Sequence, residues 1–117
     1  MSVTTQIPRD RLAAYFEAFT KRFLRDGSPE AVDVEVLEPD WGHQVALQGA
    51  RLVGITYTEA TNTLEFELDV GDHRIYEPQE VWVVEEPDGF LDAIEIVLPD
   101  GSREVVSIKR VGLRRIG

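Results

Sequence analysis

The side chains best able to do chemistry cluster in Gly71-Asp72-His73-Arg74-Ile75-Tyr76-Glu77-Pro78. His73 has the chemistry of a base or a ligand, and Arg74 with Tyr76 could orient an anion. Strand geometry limits that reading. On an extended segment His73 and Ile75 point one way, while Arg74 and Tyr76 point the other. The four converge only if the chain bends. Otherwise His73 is a strand-end histidine hydrogen-bonded to a neighbour for structural reasons. Trp82, within Val81-Trp82-Val83-Val84, completes the candidate set. Large aromatic side chains mostly end up buried, so Trp82 is expected in the core or beneath a helix, and an exposed Trp82 would mark a partner site. The candidate ligand-binding residues are therefore His73, Arg74, Tyr76 and Trp82, and no catalytic residue is assigned.

The rest of the titratable inventory argues for solvation more than for reaction. The second histidine, His43, follows Trp41-Gly42 beside a turn, and there is no cysteine. Disulfides, thiolate metal sites and a cysteine nucleophile are thus excluded. Helical His-x-x-x-His spacing and the Asp-rich calcium loop are both missing, so no metal is expected. The neighbouring carboxylates Glu65, Glu67 and Asp69 share one face of an alternating strand. An acid–base pair needs two carboxyls in one pocket with their pKa values pushed apart. Phosphate loops, nucleophile elbows and dinucleotide fingerprints do not occur, and no cofactor is expected.

The elements that must position these residues follow from periodicity. Leu12, Phe16, Phe19 and Phe23 recur at helical spacing, with Tyr15 beside them. Pro8 suits a first turn, and Gly27 with Pro29 is a stop signal, so the spacing predicts a helix over about 8–26. The period then switches to two. Val32, Val34 and Val36 alternate with Asp33 and Glu35, and Leu64, Phe66 and Leu68 alternate with Glu65, Glu67 and Asp69. Gln44 to Gln48 reads as a short strand, and Gly49-Ala50 separates it from the next, where Gly54 suggests a bulge. Asn62 suits a left-handed loop position. Pro87-Asp88-Gly89 and Pro99-Asp100-Gly101 are three-residue hairpin loops framing Phe90 to Leu98.

One domain of 117 residues results, with a helix, a β-meander over about 31–109 and a basic tail at 110–117. The fold class is α+β: an N-terminal amphipathic helix, then an antiparallel meander of six to eight short strands curling into a small barrel or half-open roll. In a simple meander the first strand, Val32 to Leu37, is an edge.

Charge narrows the partners. Residues 28–102 hold two cations against 18 carboxylates, while 1–27 carry +2 and 103–117 carry +4. Such a body repels nucleic acid and anionic membrane, and neither is expected as a partner. No apolar run approaches the roughly 20 residues of a membrane helix, and Met1 to Thr5 lack the layout of a secretion signal. A cytoplasmic protein is expected.

Several short motifs together resemble a bacterial family of domains of unknown function. They are Ile7-Pro8-Arg9 at the helix start, Leu37-Glu38-Pro39-Asp40, Leu52-Val53-Gly54-Ile55, His73-Arg74-Ile75-Tyr76-Glu77-Pro78 and the acidic hairpin at Pro99-Asp100-Gly101. The resemblance spans nearly the whole chain and implies no activity, only that the His73 region is a motif. The expected function is a small non-enzymatic interaction or assembly module, forming a homodimer or meeting a basic protein. The competing reading is a small-ligand or anion binder, extending to a weak hydrolase, built on the His73 region.

Overall fold

The computed structural model describes residues 2–24, 30–38 and 42–110, with side chains described for 2–24 and 50–108. Eight strands form one antiparallel sheet. They are β1 (Val3–Gln6), β2 (Glu30–Glu38), β3 (Gly42–Thr58), β4 (Thr63–Leu68), β5 (Gly71–Tyr76), β6 (Glu80–Glu85), β7 (Leu91–Val97) and β8 (Arg103–Arg110). Helix α1 (Leu12–Phe19) is preceded by a 3-10 turn at Arg9–Arg11 and followed by a π-helical turn at Thr20–Leu24. The α+β class therefore stands, with seven strands after the helix. One strand, β1, precedes the helix and was not expected. The helix terminators Gly27 and Pro29, Trp41 with the turn at Pro39-Asp40, and the tail beyond Arg110 lie outside the described residues.

Strand order corrects the simple meander. The sheet runs β1-β6-β7-β8-β2-β3-β4-β5. Two hairpin runs, β2 to β5 and β6 to β8, are joined by β8 pairing with β2, from Leu37 opposite Arg103 to Glu30 opposite Arg110. The strand expected at the edge thus lies at the centre, because the last strand returns to the first strand after the helix. The edges are β1 and β5. Gln44 to Gln48 and the segment after Ala50 are also one continuous strand rather than two. Val53 is the extra residue at a bulge between Leu52 and Gly54, where the expected irregularity occurs.

The helix is held by both packing and hydrogen bonding. Leu12, Phe16 and Phe19 are buried, and Tyr15 and Phe23 pack against the core. Phe19 meets Phe90 with ring centroids 5.9 Å apart. Strand β2 pairs with β3 as far as Leu52, and among the described residues the next residues of β3 have no strand neighbour on that side. Thr20 fills part of the gap. Its hydroxyl accepts from the Ile55 N–H and donates to the Ile55 carbonyl, each at 3.1 Å. A buried strand edge left unpaired would cost the desolvation of both groups.

The two Pro-Asp-Gly loops are built alike. Asp88 accepts the N–H of Phe90 at 3.0 Å, and Asp100 accepts that of Ser102 at 2.9 Å. Gly89 and Gly101 take φ of 96° and 89°. Hydrogen bonds to Ser102, first from its hydroxyl and then from its N–H, hold the Asp100 carboxyl below its usual range. A Cβ added at Gly101 would meet nothing within 4 Å. Gly101→Ala should therefore cost only the backbone penalty, about 1–2 kcal/mol, read as a shifted urea midpoint with an unchanged m-value.

Curvature brings distant strands together. Three strands separate β5 from β8, which in a flat sheet would put them about 19 Å apart at ~4.8 Å per strand. Yet His73 Nε2 on β5 lies 2.7 Å from Glu104 Oε1 on β8. The sheet is rolled over a core of Ile55, Leu64, Phe66, Ile75, Val83, Ile94 and Ile96, together with the helix residues. It stops short of closure, since among the described residues β1 and β5 each have a neighbour on one side only. The half-open roll is the form observed.

Candidate functional site

The site worth building is the seam of that roll, along the free edge of β5. This strand pairs with β4 from Thr63 opposite Tyr76 to Leu68 opposite Gly71. Alternation assigns its backbone groups. Ile55 turns its N–H and C=O toward Thr20, away from β4. Its partner Phe66 must then turn those groups toward β5, where it meets His73. The odd residues of β5 therefore bond to β4. Asp72, Arg74 and Tyr76 turn their N–H and C=O groups outward, along the open edge.

Side chains alternate in the same way. His73 and Ile75 face inward, with the His73 ring 6.4 Å from that of Phe66 and its Nε2 on Glu104. The two partners of this hydrogen bond are 29% and 13% exposed, so the contact is largely shielded from water. Arg74 faces outward, 3.6 Å from Glu65 and 3.9 Å from Asp72. These contacts are long and half-exposed, and such pairs are worth little. Hydrogen bonding to Asp72 raises the Glu65 carboxyl above its ordinary range, burial adds to this, and Arg74 opposes it. The outer face is thus crowded with carboxylates around one guanidinium. Beside the edge, Arg74, Ile75, Tyr76, Leu98, Pro99, Asp100 and Glu104 line an open groove of about 410 Å³. Tyr76 is 63% exposed, and Val70 at the tip of the β4–β5 hairpin is 71% exposed.

Of the four residues singled out from sequence, Arg74 and Tyr76 share this groove, and His73 reaches it through Glu104. Trp82 does not join them. It lies on β6 opposite in sense to the buried Val81 and Val83, half-buried on the outer face, and donates to Glu80 at 2.9 Å. Its depression is lined by Thr4, Glu80, Glu95, Val97 and Arg103. The expectation that Trp82 lies in the core or under the helix is therefore corrected: the inward places on β6 are taken by the two valines. The side chain of His43 lies outside the described residues, and its backbone begins β3 rather than a loop.

Glu104 was missed from sequence. It stands 31 residues from its partner, on a strand that only the roll brings near. The Ile7-Pro8-Arg9 motif likewise finds its partners across the fold. Ile7 N–H donates to the Val81 carbonyl at 2.9 Å. Arg9 Nε donates to the Tyr57 hydroxyl at 3.1 Å, which donates to Asn62 at 2.6 Å. Asn62 holds the expected left-handed conformation, φ 49°, and its carbonyl accepts from Glu77.

A smaller cavity, about 120 Å³, lies between the helix and the β6–β7 loop, lined by Tyr15, Phe19, Arg22, Phe23, Glu85 and Gly89 among others. The Tyr15 hydroxyl is buried without a hydrogen-bond partner among the described residues. Burial, and secondarily the charge of Glu85, push its pKa to about 12. Among the described residues no group of three or more His, Asp or Glu side chains is placed to hold a metal, and no helix is long and apolar enough to cross a membrane.

Comparison with known proteins gives matches over most of the chain. Residues 3–112 match the model of a family of unknown function, DUF5335. An uncharacterized protein of Aquifex aeolicus (strain VF5) is 32% identical over 107 residues, covering 91% of this chain and 92% of that protein. No solved structure matches. The protein with the rolled sheet and the His73–Glu104 seam thus belongs to the DUF5335 family of unknown function.

Proposed function

We propose that the chain is a non-enzymatic interaction module that docks an extended strand of a protein partner along the free edge of β5. The observation that carries this reading is the outward row of main-chain donors and acceptors at Asp72, Arg74 and Tyr76, beside an open groove. Strand addition draws its affinity from main-chain hydrogen bonds and its selectivity from neighbouring side-chain pockets. The other edge, β1, is four residues long, and short edge strands are a common guard against pairing. Two of the four large apolar side chains left exposed among the described residues, Val70 just before β5 and Tyr76 at its end, lie along this edge.

The anion-binding alternative is supported less. The groove holds Asp100 and Glu104 against Arg74, and His73 is already engaged by Glu104. The same charge balance leads us to expect no binding of a generic DNA or RNA oligonucleotide at physiological salt, measured by fluorescence anisotropy. Micromolar, salt-sensitive binding would redirect attention to the basic ends of the chain.

The reading is tested by selecting extended peptides from a displayed library on the purified chain, then repeating the binding with Arg74→Pro and Arg74→Ala. Proline is tolerated on an edge strand where the N–H points away from the ladder, and it removes the outward donor. Peptides that bind wild type and Arg74→Ala but not Arg74→Pro are the expected result. A library yielding no peptide sensitive to Arg74→Pro would reject strand docking at β5.

A further inference from the structure

Resting on that reading, we infer that the strand docked on β5 is β5 of a second copy, paired antiparallel about a two-fold axis through His73. The outward face of β5 reads Asp72, Arg74, Tyr76, and the exposed Val70 stands in the turn just before it. Turned end to end about His73, this row is complementary to itself. Asp72 falls opposite the partner's Arg74, Arg74 opposite the partner's Asp72, and Val70 against the partner's Tyr76. Two ion pairs and two apolar contacts form from one segment, as an isologous interface requires.

Backbone geometry agrees with that register. Among the described residues, the groups turned away from β4 belong to Asp72, Arg74 and Tyr76. In the two-fold register Asp72 and the partner's Arg74 face each other as a hydrogen-bonded pair, so the main chain and the charges are satisfied together. A register centred on Arg74 would set guanidinium against guanidinium, which is repulsive. A one-residue slip would turn the free groups out of phase with their partners.

The electrostatics of the single chain point the same way. Asp72 sits within a crowd that includes Glu65 and Glu67, and Arg74 stays 3.9 Å away. The partner's Arg74 would bring a second guanidinium to that crowd. Leu98 and Pro99 line the groove beside Tyr76 and extend the apolar end of the contact. Each Asp72 gains a second guanidinium beside it, while the charge balance of the edge as a whole stays that of the single chain.

The experiment is a charge exchange, read by sedimentation equilibrium over a range of chain concentrations, with circular dichroism confirming that each variant folds. Asp72→Arg alone and Arg74→Asp alone should each weaken the dimer roughly tenfold, since two-fold symmetry doubles every unfavourable pair. The double variant should return to within about threefold of wild type, and raising salt should weaken the wild-type dimer. The chain has no native cysteine, so His73→Cys gives a second readout. Residue 73 faces its own copy as a non-hydrogen-bonded pair, about 4.5 Å between Cα atoms, close to the disulfide range. Oxidised His73→Cys should therefore run as a covalent dimer, and Thr61→Cys should not. A dimer indifferent to both single reversals would overturn the inference by placing the contact elsewhere. So would a chain that stays monomeric at every concentration. If monomeric chain still captures peptides sensitive to Arg74→Pro, the second copy is rejected and strand docking survives.

Discussion

Phe19→Ala is expected to lower unfolding stability by about 3–5 kcal/mol, a large part of what a domain of this size has in reserve. Phe19 is 5% exposed and sits at the centre of an aromatic group, with ring centroids 5.2 Å from Phe23 and 5.9 Å from Phe90. Truncation removes the transfer energy of the ring and leaves a cavity that stiff neighbours cannot collapse to fill. Glu17→Ala on the exposed face of the same helix is the control. Its ion pair with Lys21 is 3.3 Å long and solvent-exposed, so its loss should cost no more than about 0.5 kcal/mol. Urea titrations of the two variants separate the cases. A Phe19→Ala protein that unfolds at the wild-type midpoint would show that the helix is not part of the core.

Tyr15 gives the second large effect, and it appears only at high pH. The folded state holds the phenol proton more tightly than the unfolded chain does, with a pKa of about 12 against an ordinary 10. The associated stability is complete below pH 10 and is lost as pH rises toward 12. Two units correspond to a ceiling of about 2.7 kcal/mol, and partial exposure of the ring lowers the expectation to about 1–2 kcal/mol. Tyr15→Phe should remove this loss. At neutral pH it should stay within about 1 kcal/mol of wild-type stability, because the buried hydroxyl makes no hydrogen bond of regular geometry, although the Glu85 carboxylate lies close enough to raise its pKa. Paired denaturation curves at pH 7 and pH 11 check both halves. An unchanged gap between variant and wild type across that range would reject the assignment to Tyr15.

Local features of the fold were readable and long-range ones were not. The helix stripe, the alternation in Leu64-Glu65-Phe66-Glu67-Leu68, both Pro-Asp-Gly loops and the left-handed Asn62 follow from the backbone preferences of a few neighbouring residues. Strand β1 was not readable, because Val3-Thr4-Thr5-Gln6 is exposed along its length and carries no alternation to detect. The central position of β2 was hidden for a different reason. Which strand closes on which depends on how far the sheet curls, and no short window encodes that. The same holds for the seam. His73 announces itself as a polar residue in a polar cluster, but Glu104 reads as one carboxylate among many until the roll brings it within 2.7 Å.

The junction between β8 and β2 also bears on the order in which the chain is expected to fold. The hairpins within β2 to β5 and within β6 to β8 connect neighbours along the chain and can form on the microsecond scale. Joining Leu37 to Arg103 requires closing a loop of some 65 residues, an entropic cost of about 4 kcal/mol before any contact repays it. Strand β1 waits as well, since Val3 pairs with Glu85. The β8–β2 junction is therefore expected to form after the hairpins on either side of it. Until it does, both β2 and β8 offer unpaired edges to any other chain, and the interval before that junction closes is when this protein is most exposed to aggregation.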